Sequence, residues 1–110
     1  MTLPGLEAAL AGLARRGATV TYGTLARQLG LEGPGRIARL TDALESLMEA
    51  DAAAGAALRA ALVTGRVSGG LPARGFFHKA QALGLHDGSE SGASAERFHR
   101  CQLEQLFVQR

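Results

Sequence analysis

Apolar residues recur along this chain at three- and four-residue intervals, and glycines punctuate the stretches between them. Leu6, Leu10 and Leu13 fall on one face of a segment in which Pro4 suits a first turn and Gly17 a stop, which predicts a helix from Leu3 to Arg16. Ala18 to Thr21, with its Thr and Val, reads as a short strand or extended lead-in. Thr21 then serves as the N-cap of a helix from Tyr22 to Leu29, and Gly30 supplies a left-handed stop. The longest stripe is Ile37, Leu40, Leu44, Leu47 and Met48. It predicts a third helix that starts near Pro34 or Gly35, buries that stripe, and runs to about Ala54 before Gly55. Thr41, Asp42, Glu45, Ser46 and Glu49 take its other faces.

The pattern then changes period. Leu58, Ala60 and Leu62 alternate with Arg59, Ala61 and Val63, so Leu58 to Val67 reads as a strand. Ser68-Gly69-Gly70 reads as a turn, and Leu71 to Gly75 leads away from it. Arg66 and Arg74 flank this connection, as in a β-wing laid along DNA and equally as in any surface hairpin. Phe76 to Leu83 predicts a short helix closed by Gly84, and His86 to Ser94 an exposed loop. Ser94 would cap a last helix to about Gln109, with Phe98, Cys101, Leu106 and Phe107 buried. The expected fold class is α+β: one domain over residues 1–110, a small winged-helix (helix-turn-helix)-like core at about 18–70, extra N- and C-terminal helices, and a short β-hairpin or wing. The C-terminal helical extension covers about 76–110.

Composition narrows the class. With 46% apolar and 20% charged residues the chain has the balance of a folded domain, not of a disordered segment. Four Phe, one Tyr and no Trp leave the core to Leu, Ala and Val. The single cysteine excludes an internal disulfide framework and fits a reducing compartment. No apolar run approaches the roughly 20 residues of a membrane span. Arg15 and Arg16 follow the first apolar stretch, whereas a signal peptide carries its charge first. A cytoplasmic protein with no membrane contact is expected.

Candidate chemistry is thin. His78, His86, His99, Asp87 and Cys101 are the conceivable metal ligands, yet His99 and Cys101 lie two apart on a predicted helix and point away from one another. Without CxxC or HExxH spacing, no metal site is expected, and the histidines read as surface or boundary residues. Gly65 to Gly70 is glycine-rich but lacks a lysine and phosphate-loop spacing, so no cofactor is expected either. Nothing assembles a nucleophile, base and orienting acid, and the expectation is a protein that is not an enzyme.

Charge is more informative in its placement than in its net value of +2. No carboxylate occurs from Ala52 to His86, a stretch that holds Arg59, Arg66, Arg74 and Lys79. Such segregation can make a positive face for phosphates, and ordinary surface charge separates in the same way. Arg36 and Arg39 stand in the first turns of the third helix, where the dipole disfavours cations. That placement suits a helix start that meets phosphates or bases, and it also suits side chains that simply extend into water.

The segment Thr19-Val20-Thr21-Tyr22-Gly23-Thr24-Leu25-Ala26 resembles the opening of the winged-helix DNA-binding domain of alkylguanine-DNA alkyltransferases. The helix with Arg36 and Arg39 is similar in placement to that family's recognition helix, and the resemblance covers roughly residues 18–70. The family's Pro-Cys-His-Arg-Val-Val segment has no counterpart. Leu58-Arg59-Ala60-Ala61-Leu62-Val63 stands there with an arginine in the nucleophile's place, and Cys101 lies in another element. The resemblance therefore implies a DNA-binding architecture and argues against alkyl transfer. Leu62-Val63 and Gly70-Leu71-Pro72-Ala73-Arg74-Gly75-Phe76-Phe77 also resemble a pattern in small bacterial proteins of no assigned activity and in modules that accompany nucleases.

These readings converge on binding of duplex DNA without chemistry, through Arg27, Arg36, Arg39, Arg66 and Arg74, with Tyr22 and Thr24 near the backbone at a helix start. Asp42, Glu45 and Glu49 would repel DNA if more than two turns of the third helix entered a groove. The alternative is a protein-interaction or accessory module on the same scaffold, meeting a partner or a second copy through the acidic helix or the segment Ala52 to Ala61.

Overall fold

The computed structural model describes residues 3–66 and 70–108 of the 110. Among them the fold is mostly helical, with five α-helices and one two-stranded sheet. The order is α1 (Leu6–Arg16), β1 (Val20–Thr21), α2 (Tyr22–Gln28), α3 (Arg36–Ala53), a 3₁₀ turn (Arg59–Leu62), β2 (Val63–Thr64), α4 (Arg74–Ala82) and α5 (Gly92–Phe107).

The helices begin and end for local reasons. Thr21 caps α2: its Oγ1 accepts the Thr24 N–H at 3.2 Å, satisfying one of the donors a helix start leaves free. At the other end Gly30 takes φ 76°, and the N–H groups of Gly30 and Leu31 bond the carbonyls of Arg27 and Ala26 at 3.0 Å. A side chain resists that left-handed conformation, so glycine sets where the chain turns toward α3.

The buried stripe of α3 is Leu40, Ala43, Leu44, Leu47 and Met48. It packs on the 3₁₀ turn, α2 and α4, and α1 closes the far side through Leu6, Leu10 and Leu13. Phe77, fully buried, meets Phe76 edge-to-face with centroids 5.2 Å apart. This aromatic pair anchors α4, and truncating Phe77 would remove about 3–5 kcal/mol of stability by the usual scale for buried aromatics.

Three expectations need correction. Residues 59–62 form a 3₁₀ turn, and among the described residues of the expected strand only Val63–Thr64 is strand. The alternation at 58–63 misled because Ala60, Ala61 and Leu62 are all buried, so the segment has no solvent side to mark a period of two. The two strands pair in parallel, Val20 with Val63 and Thr21 with Thr64, and do not form a hairpin with each other. Val67 at the end of the expected strand, Ser68 and Gly69 of the expected turn, and Gln109 at the end of the last helix lie outside the described residues. Finally, Ile37 is 38% exposed although it belongs to the apolar stripe of α3.

α5 starts at Gly92, two residues before Ser94. Ser94 instead donates its hydroxyl to Asp87 at 2.7 Å, and Asp87 also accepts the Ser89 N–H at 2.8 Å. Those bonds hold the Asp87 carboxyl down at about 2 and keep the loop before α5 folded on itself. Cys101 faces solvent, whereas His99 is buried and pairs through Nε2 with the Ala61 carbonyl at 2.8 Å. The boundary histidine and the packed cysteine of the sequence reading thus exchange roles.

Candidate nucleic-acid interface

An exposed groove runs past the start of α2. One lobe, of about 400 Å³, is lined by Thr21, Gly23, Thr24, Arg27 and Arg66. The adjoining lobe, of about 380 Å³, is lined by Gly23, Arg27, Leu31, Glu32, Gly33, Arg36 and Arg66. Gly23, Arg27 and Arg66 are common to both, so three arginines from three separate segments converge on one depression.

The sequence dictates that convergence. Capping by Thr21 fixes the first turn of α2 and puts Arg27 in its last turn. The glycine-rich connection through Gly33 and Gly35, both at positive φ, delivers Arg36 as the first residue of α3. Arg66 follows β2, whose pairing with β1 brings it back beside Thr21. The Gly65 N–H donates to the Leu71 carbonyl at 2.9 Å. A Cβ added at Gly23 would meet nothing within 4 Å, which leaves the floor of the groove open.

Charge at the groove is not neutralised within the fold. Among the described residues no carboxylate forms an ion pair with Arg27, Arg36, Arg39 or Arg66. Arg36 donates to the Gly33 carbonyl at 3.3 Å and Arg39 to the Glu32 carbonyl at 2.8 Å. Both bonds leave the guanidinium charge intact. Glu32 is the single carboxylate lining the groove. No aromatic ring lines it either, so it offers arginine forks and threonine hydroxyls but no platform for stacking a base.

The other basic residues of known partner are committed to the fold. Arg59 bonds Asp51 through Nη2 at 2.9 Å and Glu7 through Nη1 at 3.0 Å. These bonds, Asp51 first, hold its guanidinium above the usual arginine value. Asp51 also accepts the Arg59 backbone N–H at 2.9 Å. Lys79 pairs with Glu49, which raises the lysine and lowers the glutamate. Arg74 bonds Glu90 at 3.0 Å, and His78 bonds the same carboxylate.

Of the seven predicted contact residues, the structure therefore brings together Thr24, Arg27, Arg36 and Arg66. Arg39 stands one turn along α3, outside the lining. Arg74 is held by Glu90 away from the groove. Tyr22 turns into a packed niche with Leu44, Met48, Ala60 and Phe76, where its hydroxyl accepts the Ala73 N–H at 3.0 Å. Burial pushes that hydroxyl above the ordinary tyrosine value, the Ala73 bond pulls it down, and Glu45 adds to the rise. Sequence reasoning missed Thr21, Gly23 and Gly33 as lining residues. Their small size gave a signal for turns and caps, and none for a groove floor. Among the described residues no group of three or more His, Cys, Asp or Glu is arranged to hold a metal ion.

No protein-family model matches the chain, and neither a curated protein nor a solved structure matches it at a significant level. The site must therefore be read from its own geometry.

Proposed function

We propose that this chain is a non-catalytic DNA-binding domain of winged-helix type that holds the phosphate backbone of duplex DNA along the arginine groove. The observation that carries the reading is the convergence of Arg27, Arg36 and Arg66, none of them ion-paired among the described residues, around an open glycine floor. Adjacent phosphates on duplex DNA present a line of anions, and arginine forks bind such oxygens in two-pronged fashion. The reading draws on the order of α2, a turn and α3, which is also that of a helix-turn-helix. Thr24 adds a hydroxyl at the helix start, and Arg39 extends the positive edge along α3. The groove's donors meet phosphates more readily than base edges, so affinity should be sensitive to salt and only weakly selective.

Binding of the full chain to a fluorescent random-sequence duplex across a salt series tests this. The expected result is a steep fall of affinity with salt, and a slope shallower by roughly 0.9 for each phosphate contact removed in an Arg27→Ala/Arg36→Ala/Arg66→Ala variant. Absence of binding even at low salt would overturn the reading and turn attention to a protein partner on the same scaffold.

A further inference from the structure

The two lobes of the arginine groove differ in what surrounds their charge. In the first, Arg27 and Arg66 stand with Thr21 and Thr24, and no carboxylate lines it. Thr21 Oγ1 accepts the Thr24 N–H and gives its own proton to Thr24 Oγ1 at 3.0 Å. Thr24 therefore keeps its hydroxyl proton, which meets no acceptor among the described residues, and can offer it to an anion in that lobe. The second lobe adds Arg36 and a carboxylate, Glu32. Among the described residues Glu32 forms no ion pair, although three arginines line the same lobe.

Charge decides what fits. Arg27, Arg36 and Arg66 set against Glu32 leave two net positive charges around one depression. An internal phosphodiester brings a single negative charge, and a running backbone calls for cations strung along a line. Here Arg27 and Arg66 line both lobes, so the charge is gathered and not strung out. A phosphate at a strand end is a monoester, with a charge of about −1.5 to −2 at pH 7 and three strong acceptor oxygens. Two guanidinium forks and one hydroxyl proton match those oxygens. A strand running through both lobes would set a second phosphate against Glu32, and a strand that terminates in the first lobe avoids it.

We propose, resting on the phosphate-groove reading above, that the groove seats the terminal phosphate of a DNA strand. The phosphomonoester of a 5′- or 3′-phosphorylated end lies in the first lobe, held by Arg27, Arg66 and the Thr24 hydroxyl, with Arg36 adding charge from the second. Glu32 makes the seat selective, because its carboxylate repels the next phosphate of a strand that does not end there. The chain thus distinguishes a phosphorylated end from uninterrupted backbone.

The test measures binding of the full chain to one short blunt duplex in three forms: 5′-phosphorylated, 3′-phosphorylated, and hydroxyl at every end. At about pH 7.5 and low salt a phosphorylated form should bind roughly tenfold more tightly than the hydroxyl form, and the form that does so names the end. Lowering the pH to about 5.5 should shrink this preference severalfold, because the second ionisation of a phosphomonoester lies at about 6. Thr24→Val should narrow the preference by weakening the phosphorylated form, and Glu32→Gln by strengthening the hydroxyl form. Equal binding of the three duplexes, or a preference that does not change with pH, would overturn the proposal. So would a phosphoserine peptide that competes as strongly as the phosphorylated duplex, since the phosphate would then come from a protein. The salt series on random-sequence duplex separates the two failures. A steep slope with equal binding of the three forms sinks only the strand-end assignment, whereas no binding at all sinks the groove reading with it.

Discussion

Helix α3 carries charge against its own dipole at both ends, and the fold answers the two ends differently. At the C-terminal end Asp51, 5% exposed, sits where partial negative charge already gathers. There the chain supplies compensation, with the Arg59 guanidinium, the Arg59 backbone N–H and a further link from Arg59 to Glu7. At the N-terminal end Arg36 and Arg39 sit where partial positive charge gathers, and no carboxylate meets them among the described residues. Both placements oppose the dipole. One is compensated inside the molecule and serves stability, and the other is left open to an external anion. The contrast separates arginines that fold this chain from arginines free to bind.

The comparison breaks most visibly at the folded end. Asp51→Ala strands the Arg59 N–H and guanidinium, and should lower unfolding free energy by about 3 kcal/mol. Denaturant titration reads this directly, and a loss below about 0.5 kcal/mol would mean that the buried pair contributes no more than an exposed one. At the open end Gly23→Glu should separate folding from binding. The substitution replaces a first-turn glycine and adds a carboxylate that the helix dipole favours there, so stability should hold or rise by about 0.3–1 kcal/mol. Affinity for duplex DNA should meanwhile drop roughly tenfold at low salt, because the new charge stands among Arg27, Arg36 and Arg66. Unchanged affinity would show that the ligand does not enter the groove.

A smaller effect comes from His99 in the core. Burial holds its imidazole below the ordinary value of 6.5, against a weaker upward pull from the Ala61 carbonyl. The unfolded chain therefore binds the proton first as pH falls. His99 adds stability that is complete above about pH 6.5 and is lost as pH drops from there through the lowered folded value. Melting curves between pH 7.5 and 5 should show this decline in the wild-type chain and a flatter profile in His99→Gln, which can still donate to Ala61. Parallel profiles would contradict the burial account.

Much of the helical skeleton is legible in the sequence because it rests on local rules. The Thr21 cap, the Gly17, Gly30, Gly55 and Gly84 stops, and the Leu40–Leu44–Leu47–Met48 stripe each need only a few neighbouring residues. What escaped reading depends on distant partners. Residues 60–63 are apolar whether strand or 3₁₀ turn, and packing against α3 and α5 decides between them. Asp51 reads as surface charge until Arg59 arrives eight residues later to bury it. His99 and Cys101 lie two positions apart, and which one faces inward depends on the Ala61 carbonyl. The arginines were legible as cations. That Arg74 is spoken for by Glu90 while Arg27 and Arg66 share a groove is a fact of tertiary structure.

One measurement tests this division most directly. Salt-dependent duplex binding should be compared for two variants that each remove basic side chains, Arg27→Ala/Arg36→Ala/Arg66→Ala at the open groove and Arg74→Ala/Lys79→Ala at the paired surface. The account predicts a markedly shallower salt slope for the groove variant and a slope indistinguishable from wild type for the paired-surface variant. Equal losses from both, scaled only to the number of charges removed, would show that net charge governs binding and would contradict a groove built for phosphates.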